Sequence, residues 1–192
     1  HDLKYTEAMP LLNNLRAIAR DCGLEFGVKL SNTLEVENFR PVFNKKEKMM
    51  YLSGRPLHAI TVNLAHMLAE EFEGDLPMSF SAGANCFNAP HLLAAGVQTI
   101  TVCSDLLKTG GYLRLLEYLE SVDNAFSNVE AASIEEFVLK SANAGAIGRD
   151  VRATARLNLR RYAEQARSDP KNMKGAFDTS HTKMSRELGL FD

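Results

Sequence analysis

The feature that most constrains this chain is a repeated pairing of a short apolar run with a helix-like stretch. Phe26-Gly27-Val28-Lys29-Leu30, Met49-Met50-Tyr51-Leu52, Met78-Ser79-Phe80 and Gln98 to Cys103 each have strand length. Around them lie helical patterns at Leu11–Asp21, from Pro56 through Ile60, Leu64, Met67 and Leu68, at Ala89–Ala95, and from Leu113 through Leu119. Gly23, Gly74 and Gly96 stand at helix ends, where glycine tolerates the left-handed turn. Pro56 sits at a first helical turn, and Asn88 is the expected cap of the short helix. Strands separated by helical crossovers predict a parallel sheet, because parallel neighbours need such connections. Each run is followed by a glycine-, serine- or asparagine-containing turn, and parallel α/β folds carry function at that edge. Periodicity leaves open whether the sheet is open or closed into a barrel.

From Ala131 the pattern is helical only. Ile134, Phe137 and Val138 form one stripe, a glycine-containing break follows, and an arginine-rich helix runs from Val151 to Ala166. A further short helix is expected near Met184–Leu188. The resulting fold class is α/β: a partial TIM-type (β/α) barrel over residues 1–122, with a helical extension over residues 123–192. Both ends read as cuts within a longer protein. An incomplete barrel leaves strand edges unpaired, so self-association of the isolated region is expected.

Composition narrows the function. The chain has 192 residues, 45% of them hydrophobic, with a formal net charge of −2. A nucleic-acid partner is not expected without a basic face, and no apolar run reaches membrane-spanning length. Cys22, Cys86 and Cys103 form no CxxC pair and read as reduced thiols of a cytoplasmic protein. His58 and His66 are too far apart on one helix to share an ion, so they and His91 read as surface or satisfied core residues. Arg152, Arg156, Arg160 and Arg161 offer a surface for a neighbouring acidic domain or an ordinary solvated helix face.

Three stretches taken in order carry a resemblance: Gly27-Val28-Lys29-Leu30-Ser31-Asn32-Thr33, then Tyr51-Leu52-Ser53-Gly54-Arg55-Pro56-Leu57, then Phe80-Ser81-Ala82-Gly83 with Ala94-Ala95-Gly96 downstream. Together they resemble the C-terminal half of dihydroorotate dehydrogenase-like flavin barrels, and most closely the selenate reductase subunit group. Lys108-Thr109-Gly110-Gly111-Tyr112-Leu113-Arg114 and the terminal Glu187-Leu188-Gly189-Leu190-Phe191-Asp192 are also similar to that group. Such proteins place the barrel before an iron–sulfur and NAD(P)H-oxidising flavin module, which implies FMN in this region and FAD with iron–sulfur clusters beyond it. The implied partners are the flavin, an unidentified small-molecule substrate and the other domains of the parent chain.

The resemblance implies that Lys29 contacts the isoalloxazine, where a cation would stabilise charge on the reduced ring. Asn32 and Thr33 would hydrogen-bond flavin or substrate, or form a turn. Ser53 and Gly54 would allow close backbone approach. Ala82, Gly83 and Ser104 would supply a phosphate site after the last two strands. Two departures stand out: the family usually has adjacent glycines where this chain has Ala82-Gly83, and the segment between Lys29 and Leu52 is too short for a strand–helix–strand unit. No catalytic base is assigned within the chain. These departures keep two other readings open, a flavin-free barrel serving as a scaffold and a phosphate-binding barrel of the aldolase or isomerase type using Lys29.

Overall fold

The structure, a computed structural model, describes residues 3–39, 44, 46–142 and 150–168. Helix α1 (Tyr5–Asp21) leads into strand β1 (Val28–Leu30) and a hairpin of β2 (Leu34–Glu37) and β3 (Met49–Leu52). Helix α2 (His58–Glu71), strand β4 (Met78–Phe80), helix α3 (Ala89–Ala94) and strand β5 (Thr99–Ile100) follow. Three helices complete the described chain: α4 (Arg114–Asn128), α5 (Ile134–Ser141) and α6 (Val151–Ser168). The expected helix near Met184 lies outside the described residues.

Strands β1, β4 and β5 form a parallel sheet in that order, as the alternation predicts. This is an α/β arrangement with an open three-stranded arc among the described residues. The run Met49–Leu52 does not join it. It pairs antiparallel with β2, Leu34 opposite Leu52 and Glu37 opposite Met49. The segment too short for a β/α unit is therefore filled by a hairpin, and the sheet has three parallel strands where four were expected.

Residue parity divides the sheet into two faces. Leu30, Met78 and Phe80 are buried beneath the helices, whereas Lys29, Ser79 and Thr99, aligned across the three strands, occupy the other face. Lys29 and Thr99 are exposed. On the covered side α2 turns Thr61, Val62, Ala65, Leu68 and Ala69 inward. The stripe expected from hydrophobicity is displaced: Ile60 and Met67 are 52% and 47% exposed. Small residues let the helix approach closely enough to pack, so size outweighs hydrophobicity on this face.

Helix α6 contributes Leu159, Tyr162, Ala163 and Ala166 to the same core as α2 and the sheet. Three of its arginines are used within the chain, Arg152 on Asp75 at 2.9 Å, Arg156 on Glu70 at 3.1 Å and Arg160 on Glu164 at 2.9 Å. In the stripe of α5, Phe137 and Val138 are buried and Ile134 is exposed. Among the described residues no helix is long and apolar enough to cross a membrane. The three cysteines are free, with Cys86 buried.

Candidate functional site

The turns following β3, β4 and β5 converge on one cavity of about 210 Å³. Ser53, Gly54 and Arg55 line it from the first turn, Ser81, Gly83 and Ala84 from the second, and Cys103, Ser104, Asp105 and Lys108 from the third. Four residues singled out in the sequence (Ser53, Gly54, Gly83 and Ser104) thus meet in space. Lys29, Asn32 and Thr33 are exposed and do not line it. Ala82 lies behind the wall, 2% exposed. Arg55, Cys103, Asp105 and Lys108 were not singled out; Arg55 directly follows a strand-end glycine, a signal that points to an anion site.

The glycines are required by contact and by conformation. Gly83 has φ +63°, and a Cβ there would lie 2.6 Å from Arg55 Cα and 2.8 Å from Arg55 N. Gly54 has φ +65°, and its Cβ would come within 3.3 Å of Ser104 Oγ. The backbones of two turns therefore touch where a side chain would separate them. Gly83→Ala is expected to cost about 1–3 kcal/mol through left-handed strain and the forced shift of Arg55. A lowered urea midpoint with an unchanged slope would bear this out; an unchanged midpoint would contradict it.

Three successive carbonyls after β4 are held by side chains from three places. His58 Nδ1 lies 2.9 Å from the Ala82 carbonyl oxygen, Asn88 Nδ2 donates to the Gly83 carbonyl at 3.0 Å, and the Tyr118 hydroxyl donates to the Ala84 carbonyl at 2.8 Å. Since N–H and C=O point oppositely in a trans peptide, fixing the carbonyls of Ala82 and Gly83 turns the N–H groups of Gly83 and Ala84 away from those partners. Both residues line the cavity, and successive backbone N–H groups around a left-handed residue suit an anion. Asn88 stands at the N-cap position of α3 as expected, but its side chain makes no capping bond: it is fully buried and its Oδ1 accepts from Asn85 N at 2.8 Å, so it staples this loop.

His58 is a core residue with a fixed tautomer. A carbonyl only accepts, so Nδ1 carries the proton donated to Ala82. Nε2 then accepts from the Tyr162 hydroxyl at 2.6 Å. Burial is the main cause that lowers the His58 pKa to about 4, despite the opposing bond to Ala82 and with a smaller contribution from His91. The ring is therefore neutral near pH 7.

Charge at the cavity is balanced around Asp105. Its carboxylate accepts from Lys108 Nζ at 2.7 Å and Arg114 Nη2 at 3.1 Å, and the Tyr118 hydroxyl, whose one proton is shared with the Ala84 carbonyl, lies 3.0 Å away. Burial alone would raise its pKa, but the bonds and charges of Lys108 and Arg114 outweigh burial and hold it below its usual value. Burial, and then the Asp105 charge, push the Tyr118 hydroxyl upward. The same two influences push the Cys86 thiol up to about 11, which leaves it unreactive. A larger cleft of about 470 Å³, lined by His91, Phe137, Asn158 and Tyr162 among others, lies among the helices and contains none of the expected site residues.

Residues 1–153 match the family model described as Oxidoreductase YgfK, N-terminal TIM-barrel domain. The chain belongs to this family. Curated relatives in Escherichia coli strains K12 and O157:H7, both named "Putative oxidoreductase YgfK", are each 41% identical over 125 residues. That alignment covers 65% of this chain and 12% of each relative, so the chain spans a small part of their length. No solved structure matches it. The YgfK assignment agrees with the sequence reading at the level of an oxidoreductase family and a TIM-barrel domain. It also explains the topology: β1, β4 and β5 with their helices form an arc of such a barrel, and the polar row Lys29, Ser79 and Thr99 lies on the face opposite the helices.

Proposed function

We propose that this region binds FMN as part of a multidomain NAD(P)H-dependent oxidoreductase, with the phosphate end of the flavin in the cavity at the strand ends. The observation that carries the reading is the convergence of Gly54, Gly83 and Ser104 on that cavity beside Arg55 and Lys108. The donor set suits a phosphate: backbone N–H groups of a glycine turn, a serine hydroxyl and two cationic side chains. Asp105 is the one acidic lining residue, and its ion pairs with Lys108 and Arg114 offset its charge.

The cavity, about 210 Å³, is smaller than the roughly 300–1,000 Å³ of pockets that enclose whole ligands, so it would take only the phosphate end. The ring would extend over the open sheet face, where Lys29, Ser79 and Thr99 supply polar contacts. There Lys29 would hold positive charge against the ring, with Asn32 and Thr33 on the adjoining turn. FMN would supply electron transfer to and from a small-molecule substrate. FAD and iron–sulfur clusters in the remainder of the parent protein would connect it with NAD(P)H.

The test is the FMN and FAD released from the full-length protein, in wild type and in Ser104→Asp. Ser104 is exposed at the cavity wall, so a carboxylate fits there while repelling a phosphate. Wild type is expected to release both flavins, and the variant to lose FMN by about tenfold or more while retaining FAD. FMN absent from wild type would overturn the reading and leave a flavin-free scaffold or another phosphate-binding barrel.

A further inference from the structure

The tethers on the Ala82–Gly83–Ala84 loop lead beyond the cavity. His58, 0% exposed, reaches the Ala82 carbonyl with one ring nitrogen and the Tyr162 hydroxyl with the other. Tyr162 lies on α6, 104 residues further along the chain than His58. The rings are held from several sides. Phe80 meets His58 edge-on at 5.3 Å, and His91 stacks on Tyr162 at 5.2 Å with 19° between planes.

The hydroxyl does more than fill space. The Ala82 carbonyl places the ring proton on Nδ1, and the hydroxyl donates to the lone pair left on Nε2, so the ring is held at both nitrogens. Without the hydroxyl, Nε2 is a buried acceptor that has lost its bond, and the ring is free to shift from its place against Ala82. A shift of the ring would lengthen its bond to the Ala82 carbonyl and disturb Asn88, whose Nδ2 is 3.4 Å from Nδ1. Asn88 also holds the Gly83 carbonyl, so its reorientation would release a second tether.

We propose that Tyr162 and His58 are positioning residues: the docking of α6 is relayed through the position of the His58 ring to the Ala82–Gly83–Ala84 loop and sets the shape of the anion cavity. The effect on ligand rests on the FMN reading above, whereas the effect on the loop does not. Leu159, on the same helix and 1% exposed, supplies the comparison, because it packs in the same core with an apolar side chain.

The experiment uses the full-length protein as wild type, Tyr162→Phe and Leu159→Ala. Amide hydrogen exchange is followed at Asn85, Phe87, Asn88 and Ala89 without added ligand, and FMN is titrated back after flavin removal. Those amides bond to Asn88 Oδ1 or to the Asn85 side chain or carbonyl, so they report on the loop. Phenylalanine keeps the stacked ring and removes one hydrogen bond, for which about tenfold faster exchange and about tenfold weaker FMN binding are expected. Leu159→Ala is expected to lower the urea midpoint more than Tyr162→Phe, yet leave exchange at these amides and FMN affinity within about twofold of wild type. The relay is wrong if Tyr162→Phe exchanges as wild type does, or if Leu159→Ala reproduces both of its effects. If wild type binds no FMN but the exchange difference persists, the relay stands and the ligand assignment falls.

Discussion

Replacing Asp105 by alanine is expected to cost about 3–5 kcal/mol, the largest loss for any single side chain around the cavity. Arg114 is the reason. Its side chain is 4% exposed and pairs with an Asp105 side chain that is 3% exposed. Removing the carboxylate leaves a buried guanidinium whose bond to the Thr109 carbonyl is long at 3.3 Å. Arg114 cannot shed its charge, so it must be rehydrated by opening the structure around α4. Lys108, 30% exposed, is a different matter. Lys108→Met should cost about 1 kcal/mol or less, because that charge already reaches water. Replacing Asp105 and Arg114 together by leucine and methionine should restore much of the loss, since no buried charge remains unpaired. Urea midpoints of the four proteins check the ordering. An Asp105→Ala midpoint within error of Lys108→Met would refute it.

Acidification should expose His58 as a second point of weakness. Its pKa in the fold is about 4, against an ordinary value of 6.5. A lowered histidine pKa means that the unfolded chain binds the proton more readily, so stability is lost as pH falls. The loss begins below about pH 6.5, grows towards pH 4 and is then complete, amounting to roughly 3 kcal/mol. The Asp105 contribution occupies a different window. With a folded pKa below 3.8, its stabilisation is present above that value and is lost only as pH falls below it. Unfolding free energy measured from pH 7 to pH 4 should therefore decline in wild type and decline less in His58→Gln. Equal slopes in the two proteins would remove His58 as the cause.

How much of this was legible in the sequence depends on whether the signal is local. Glycine after a strand is local, and Gly54 and Gly83 were visible because their left-handed conformations leave few alternatives. Ser104 was visible by its place after β5. The pairing of β3 is non-local: nothing in Met49–Leu52 states whether its neighbour is parallel or antiparallel. The hairpin did leave a trace in Leu34-Glu35-Val36-Glu37, whose strict alternation is that of a half-buried strand. The face of α2 was misjudged because Ile60 and Met67 outrank Thr61 and Ala65 in hydrophobicity, while close packing on a sheet favours the smaller pair. Asp105, Arg114 and Tyr118 form a cluster only after α4 folds back on the β5 turn, and the sequence spacing of these residues resembles an ordinary helix start. His58 was read as a surface or a satisfied core histidine and is the latter, but its partner on α6 was beyond the reach of any local pattern.

The three tethered carbonyls also bear on when the site comes into being. Ala82, Gly83 and Ala84 are held from positions 24, 5 and 34 residues away, and the His58 tether is itself secured 104 residues further on. During synthesis the sheet strands and α2 leave the ribosome well before Tyr162 does. The loop's own sequence is thus available long before the last group that fixes its shape. Contacts of such separation form late, because the intervening chain must first be ordered. A chain ending before α6 would carry every residue that lines the cavity and still lack the hydroxyl that holds the His58 ring, so completeness of the lining and completeness of the site are reached at different lengths of polypeptide.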